Sequence, residues 1–217
     1  MITDKITLRI NENVYLKDPE SSKLGVKIIR SAVDLMVDIG YEDFTFKKLA
    51  TQIGSTEASI YRYFESKHNL LVYLTMWYWG WLEYRLMMAV VNIDDPAIQL
   101  SKSIKVLTSK VEEDHAFTLV NEVNLNQIII SESSKVYLCK NVEKDNKLGY
   151  FLSYKSIVEF VSNIVLSIKS DYPYPHMLVS TIIEGAHHQR FFAEHLPRLT
   201  DTIENIDAVT QCYLQLV

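Results

Sequence analysis

The chain has 217 residues, 48% of them hydrophobic, and a formal net charge of −5. That apolar fraction excludes a disordered polymer and leaves ample material for a buried core. The acidic total argues against a nucleic-acid partner only until it is counted by region. Residues 1–70 hold ten Lys/Arg and ten Asp/Glu, so the excess of 17 acids over 12 bases lies wholly in the remaining 147.

Residues 1–20 form an N-terminal arm in which Ile6, Leu8 and Ile10 alternate with Thr7 and Arg9. Such alternation suits a short extended segment. It either packs on the protein or reaches into a minor groove with Lys5 and Arg9, and its apolar side favours packing. Ser21 or Ser22 caps a first helix carrying Leu24, Ile28, Ala32, Leu35 and Ile39, and Gly40 closes it. Phe44 and Phe46 complete a small three-helix core. Thr45 caps a second helix with Leu49, Ala50 and Ile53 inward. Gly54 reverses the chain, and Thr56 caps a third helix with Ile60 and Phe64 inward. The outer face of the third helix keeps Glu57, Ser59, Tyr61, Arg62 and Tyr63. Two short helices around a tight turn, with polar and cationic groups outward, are the shape of a helix-turn-helix.

A long helix is expected from Ser66 to about Val91. It is rich in aromatics but interrupted by Glu83 and Arg85, so it reads as a buried helix and not a membrane span. Pro96 starts a further helix with Ile98, Ile104, Leu107 and Val111. Another is expected from roughly Phe117 to Val136, followed by a polar break at Lys140–Lys147. A helix over Tyr150–Ile168 follows, then a rigid Asp171-Tyr-Pro-Tyr-Pro175 turn. Two last helices span about His176–His195 and Thr200–Leu216, with Pro197 between them. The fold class is all-α, about nine helices.

Residues from about Ser21 to Leu71 resemble the DNA-binding domain of the TetR family of transcriptional regulators. The likeness rests on the amphipathic first helix, Gly40, Thr45, Leu49-Ala50, Gly54, the Ile60-Tyr61-x-Tyr63-Phe64 core and Lys67. It implies an N-terminal helix-turn-helix domain at 21–68. It also implies a larger C-terminal effector-binding and dimerisation domain at 69–217, pairing as a homodimer through about 176–217. A single short recognition helix contacts too few bases for useful specificity, so the physics also favours a dimer. Carried over by residue, the likeness gives Thr45 a cap and phosphate role and Lys47, beside Lys48, a base or backbone contact. Thr56, Glu57, Ala58 and Ser59 form the reading turn, with Arg62 on the same face. Tyr61, Tyr63 and Lys67 clamp the phosphate backbone. Ser55 and Glu57 depart from the family pattern; a carboxylate at 57 either accepts from cytosine or stabilises the helix N-terminus. The implied function is a sequence-specific regulator, a repressor released from its operator by an unknown small-molecule effector. A protein-interaction module keeping the fold without reading DNA is the alternative.

Trp77, Trp81, Tyr84, Met88, Phe117, Tyr154 and His187 are candidate lining for an effector pocket, although aromatics at helical spacing are more often core. Glu184-x-x-His187 and Glu112-x-x-His115 show the spacing of di-iron bundles. Chance accounts for two such pairs among 27 acids and six histidines. No metal site and no cofactor are therefore expected, nor catalysis: no nucleophile triad or phosphate-cradling glycine loop is present. Cys139 and Cys212 are isolated and read as inert thiols. The start Met1-Ile2-Thr3-Asp4-Lys5 lacks the apolar core of a secretory signal, so the cytoplasm is expected.

Overall fold

The computed structural model describes residues 8–113, 117 and 119–217. Among the described residues there are eleven α-helices and no strand; an isolated antiparallel bridge joins Ile203 and Ile206. In chain order the helices are α1 (Lys23–Asp43), α2 (Phe46–Ile53), α3 (Glu57–Tyr61), α4 (Lys67–Val90), α5 (Pro96–Thr108) and α6 (Glu122–Glu132). Then come α7 (Ser134–Tyr137), α8 (Val142–Lys147), α9 (Leu152–Ile168), α10 (Pro175–His195) and α11 (Ala208–Leu216). No described helix is long and apolar enough to cross a membrane.

The chain divides into two compact units. One is Met1–Tyr78 with Val111–Phe151, the other Trp79–Lys110 with Leu152–Val217. The division falls inside α4, whereas the sequence expectation placed it at 68/69. It groups residues 111–151 with the N-terminal helices because α6 lies along α1. Arg30 Nε donates to the Leu119 carbonyl at 3.0 Å, and Asn124 Nδ2 to Asp34 Oδ1 at 3.3 Å.

In the first unit, Ser22 caps α1 by accepting from the Gly25 amide. Gly40 adopts φ 74°, ψ 161°, which only glycine takes at low cost, and ends the regular helix there. Ile28, Ile29, Ala32, Val33 and Met36 of α1 meet Phe44, Leu49, Ile60 and Phe64 in a fully buried core. The described part of the arm packs on this unit: Val14 is buried and the Leu16 amide donates to the Tyr63 carbonyl at 2.7 Å. Asn11 Nδ2 reaches the Leu148 carbonyl, and the Tyr150 hydroxyl reaches that of Asn13. Lys5 and Ile6 lie outside the described residues.

Three helix boundaries differ from the sequence expectation. Phe117 and residues 119–121, ahead of α6, are not helical: Arg30 binds the Leu119 carbonyl, and Asn121 caps α6 by accepting from the Asn124 amide. Lys140–Lys147 is no simple break, since Val142–Lys147 forms α8. The last helix begins eight residues late. Ile203, Ile206 and Val209 recur at helical spacing, but Asn205 at φ 61° turns the chain left-handed, and Asp207 then caps α11 by accepting from the Thr210 amide.

In the second unit, Arg190 of α10 is the main polar tie. Its guanidinium donates to both Asp207 carboxylate oxygens, at 2.8 and 2.7 Å, and to the Thr108 carbonyl at the end of α5. Gly185 lets α10 and α11 approach: a Cβ there would lie 2.2 Å from the Tyr213 hydroxyl.

Candidate DNA-binding interface

The reading unit is built by its caps. Thr45 Oγ1 accepts from the Lys48 amide at 3.2 Å, and α2 ends in a left-handed Gly54 at φ 63°. The Ser55 amide then bonds to the Ala50 carbonyl and the Gly54 amide to that of Thr51, the paired bonds of a Schellman turn. Thr56 opens α3 by accepting from the Ser59 amide, and the Thr56 and Ser59 hydroxyls share a 2.8 Å bond. With Leu49, Ala50, Ile53 and Ile60 buried, α2 and α3 turn Thr45, Lys47, Lys48, Thr56, Ala58, Tyr61 and Arg62 to the exterior. Glu57 and Ser59, half-exposed, sit in the first turn of α3. The exposed Tyr61 ring stands edge-on against Phe46 at 5.0 Å, which fixes its direction while leaving its hydroxyl outward.

Two of the clamp residues carry other duties. Tyr63 is only 4% exposed, and its hydroxyl shares a 2.8 Å hydrogen bond with Ser22. The sequence placed it on the outer face. The register of α3, closed by Arg62 as its C-cap, instead turns it inward beside Phe64. Lys67 donates to the carbonyls of Tyr41, Glu42 and Phe44 at 3.0, 3.1 and 3.3 Å, and its ammonium lies 4.5 Å from the Tyr41 ring centre. An ammonium has three N–H donors, and these carbonyls occupy all of them. Lys67 therefore closes the end of α1 and leaves no donor for a phosphate.

The same test sorts the remaining cations. Lys27 binds the Ile53 carbonyl at 2.7 Å and Lys48 binds that of Asp43 at 2.8 Å, both at helix ends where the backbone dipole favours a cation. Lys23, Lys47 and Arg62 are exposed, with no hydrogen bond or ion pair among the described residues. Arg9 is likewise exposed without such a partner, and the Lys17 ammonium lies 5.2 Å from the Tyr63 ring centre. The sequence did not separate cap from contact lysines, because only the fold shows which carbonyls lie within reach.

The candidate effector residues fall on both sides of the division within α4. Trp77 and Phe117 belong to the first unit and meet edge-to-face at 5.9 Å. There Phe117 borders an open cleft of about 360 Å³ rimmed by Arg30, Asp34 and Glu113. Trp81, Tyr84, Met88, Tyr154 and His187 belong to the second unit. Trp81 lies under Arg85 at 4.8 Å, and Met88 is 49% exposed. Trp79, which the sequence reading passed over, is central there: Tyr154 stacks on it at 4.0 Å and His187 lies 6.0 Å away. The three consecutive aromatics Trp77-Tyr78-Trp79 gave no sign of which faced inward. The Tyr154 hydroxyl donates to Glu184 Oε1 at 2.7 Å. His115, of the other Glu-x-x-His pair, lies outside the described residues. Burial, with a smaller push from His188, holds His187 down to about 4, so it is neutral at neutral pH.

Residues 28–74 match the model of bacterial regulatory proteins of the tetR family. The sequence has no significant match among curated proteins. Among solved structures, the chain is similar to the TetR-family transcriptional regulator PfmR of Thermus thermophilus. The TM-score is 0.57 at 13% identity, covering 87% of this chain and 93% of that one. It is also similar to AibR in complex with isovaleryl coenzyme A and operator DNA, with TM-score 0.56, 15% identity, and coverage of 88% and 95%. The structure titled superantigen pfit is comparable, with TM-score 0.56, 16% identity, and coverage of 93% and 91%. Residues 28–74 thus carry the helix-turn-helix of the tetR family, and the chain as a whole has the fold of TetR-family transcriptional regulators.

Proposed function

We propose that this chain is a sequence-specific DNA-binding transcriptional regulator, acting as a homodimer and released from its operator by a small-molecule effector. The observation that supports it best is the exterior of α2 and α3. Lys47, Ala58, Tyr61 and Arg62 face solvent, while Lys27, Lys48 and Lys67 are held by carbonyls at helix ends. A recognition helix set against a major groove puts its first residues on base edges and its flanking hydroxyls and cations on phosphates. Thr56, Glu57, Ala58 and Ser59 are the proposed reading turn; Lys47, Tyr61 and Arg62 are the proposed backbone contacts.

Dimerisation through about 176–217 has physical support in apolar exposure. Met177, Leu196, Leu199, Ile203, Ile206 and Leu216 are each between 48% and 67% exposed, more large apolar surface than a lone subunit profits from leaving in water. An effector site in 69–217 is supported by the stacked Trp79–Tyr154 pair beside a neutral His187 and the Glu184 carboxylate, an apolar wall with polar handles. AibR, similar in fold, is described with isovaleryl coenzyme A, which makes acyl thioesters the first class to screen.

A second reading has one observation in its favour: the superantigen pfit structure shares the fold, so the fold alone does not make a regulator. Under that reading the protein is an interaction module. Alanine at Tyr61 and Arg62 discriminates between the two. The regulator reading predicts weaker DNA binding and a shallower salt dependence, with fold and dimer intact. Unaltered DNA binding in the double variant overturns it.

A further inference from the structure

His68, Cys139 and Asp145 stand far apart in the sequence, yet the fold brings them together. His68 is the second residue of α4, Cys139 follows α7, and Asp145 lies in α8, all within the first compact unit. His68 Nε2 lies 3.2 Å from Asp145 Oδ2, and one ligand atom from each of His68, Cys139 and Asp145 lies within 4.8 Å of the other two. The Asp145 side chain is only 8% exposed and that of His68 26%. A carboxylate so enclosed needs a cation or strong donors nearby.

We propose that His68, Cys139 and Asp145 form a binding site for a divalent transition-metal ion of the zinc class. Imidazole, thiolate and carboxylate are the donor set of zinc and its neighbours, whereas hard magnesium and calcium ions take oxygen alone. Two ligands held ~2.0–2.1 Å from a tetrahedral ion sit roughly 3.3 Å apart, close to the His68–Asp145 separation. The sulfur completes the set by giving up a weak bond: its S–H points to the Val136 carbonyl at 3.4 Å. On binding, the thiol proton leaves for solvent and the proton shared by His68 Nε2 and Asp145 Oδ2 moves to Nδ1 or to solvent; the thiolate, the neutral imidazole and the carboxylate then coordinate, and the fourth position is left to water. His68 adjoins Lys67, which closes the end of α1, so an ion here ties the first turn of α4 to the α7–α8 segment. The site is independent of the DNA-binding proposal, because its test needs no DNA.

The test is titration of the reduced, tag-free full chain with cobalt(II), followed by zinc competition. Expected is one equivalent showing tetrahedral ligand-field bands and a thiolate-to-cobalt charge-transfer band, displaced by zinc. C139S removes the charge-transfer band. H68A and D145N each weaken zinc binding beyond the ~10–100-fold that loss of an outer-shell partner costs. C212S, altering the other thiol, leaves all of this unchanged, and circular dichroism confirms that each variant is folded. Absence of a charge-transfer band in the native chain, or its persistence in folded C139S, overturns the proposal.

Discussion

The hydroxyls of Ser22 and Tyr63 share a 2.8 Å hydrogen bond, joining the cap of α1 to the residue just past the recognition helix. Ser22 Oγ also accepts from the Gly25 amide at 3.1 Å. One hydroxyl thus holds a helix start and the exit from α3. The Y63F variant loses that bond and is expected to cost about 0.5–1.5 kcal/mol by denaturant unfolding, with DNA affinity nearly unchanged. Y61F is expected to do the reverse, lowering DNA affinity at unchanged stability. Equal behaviour of the two tyrosines in both measurements is the outcome that contradicts the assignment.

Lys67 is expected to act on stability rather than on phosphate. Its three carbonyl partners at the end of α1 are left without their donors in K67M, at a cost of about 1–3 kcal/mol. The slope of log affinity against log salt stays that of the native protein, while R62A reduces it by about one. A salt slope reduced by K67M would restore the phosphate role.

Gly25 is a packing requirement. A Cβ there would lie 2.1 Å from the Pro19 carbonyl oxygen, a backbone atom that cannot step aside alone. G25A is expected to destabilise by about 1–3 kcal/mol, read as a lowered Tm, although alanine is the better helix former. A raised Tm would show that the Asp18–Ser22 turn moves freely.

How much of this was legible in the sequence depends on how local the cause was. The caps Thr45 and Thr56, the turn at Gly54 and the Asp171–Pro175 break are set by neighbours within a few residues, and the structure has them as read. The partners of Tyr63 and Lys67, Ser22 and the carbonyls of Tyr41, Glu42 and Phe44, were not legible because they lie more than twenty residues away. The helix expected over Thr200–Leu216 failed for a different reason. An apolar recurrence of three or four residues also fits the turn at Asn205. His68, Cys139 and Asp145 are 77 residues apart at their extremes, and no spacing rule joins them.

Two acid-sensitive groups give stability a pH dependence with a definite sign. Burial raises the Asp207 carboxyl, but the Arg190 guanidinium and the Thr210 bonds outweigh it and hold it below the ordinary value. A depressed carboxyl contributes stability that is complete above its unfolded value, ~3.9, and is lost as pH falls through the folded one. His187, held to about 4, remains neutral in the fold while the unfolded chain takes up a proton near pH ~6.5. Its contribution is complete above that value and fades as pH falls from ~6.5 toward 4, by up to roughly 3 kcal/mol. H187F is expected to flatten the unfolding profile in the upper window, and D207N in the lower one. Profiles parallel to the native one would contradict both.

The central claim is that α3 reads a DNA sequence, and selection of duplexes from a random pool by the native chain tests it most directly. The account predicts enrichment of a palindrome whose half-sites lie about one helical turn, ~34 Å, apart, and loss of that enrichment in the Tyr61 and Arg62 double variant. A pool that emerges unenriched, from a folded and dimeric protein, would show that this helix-turn-helix does not read DNA.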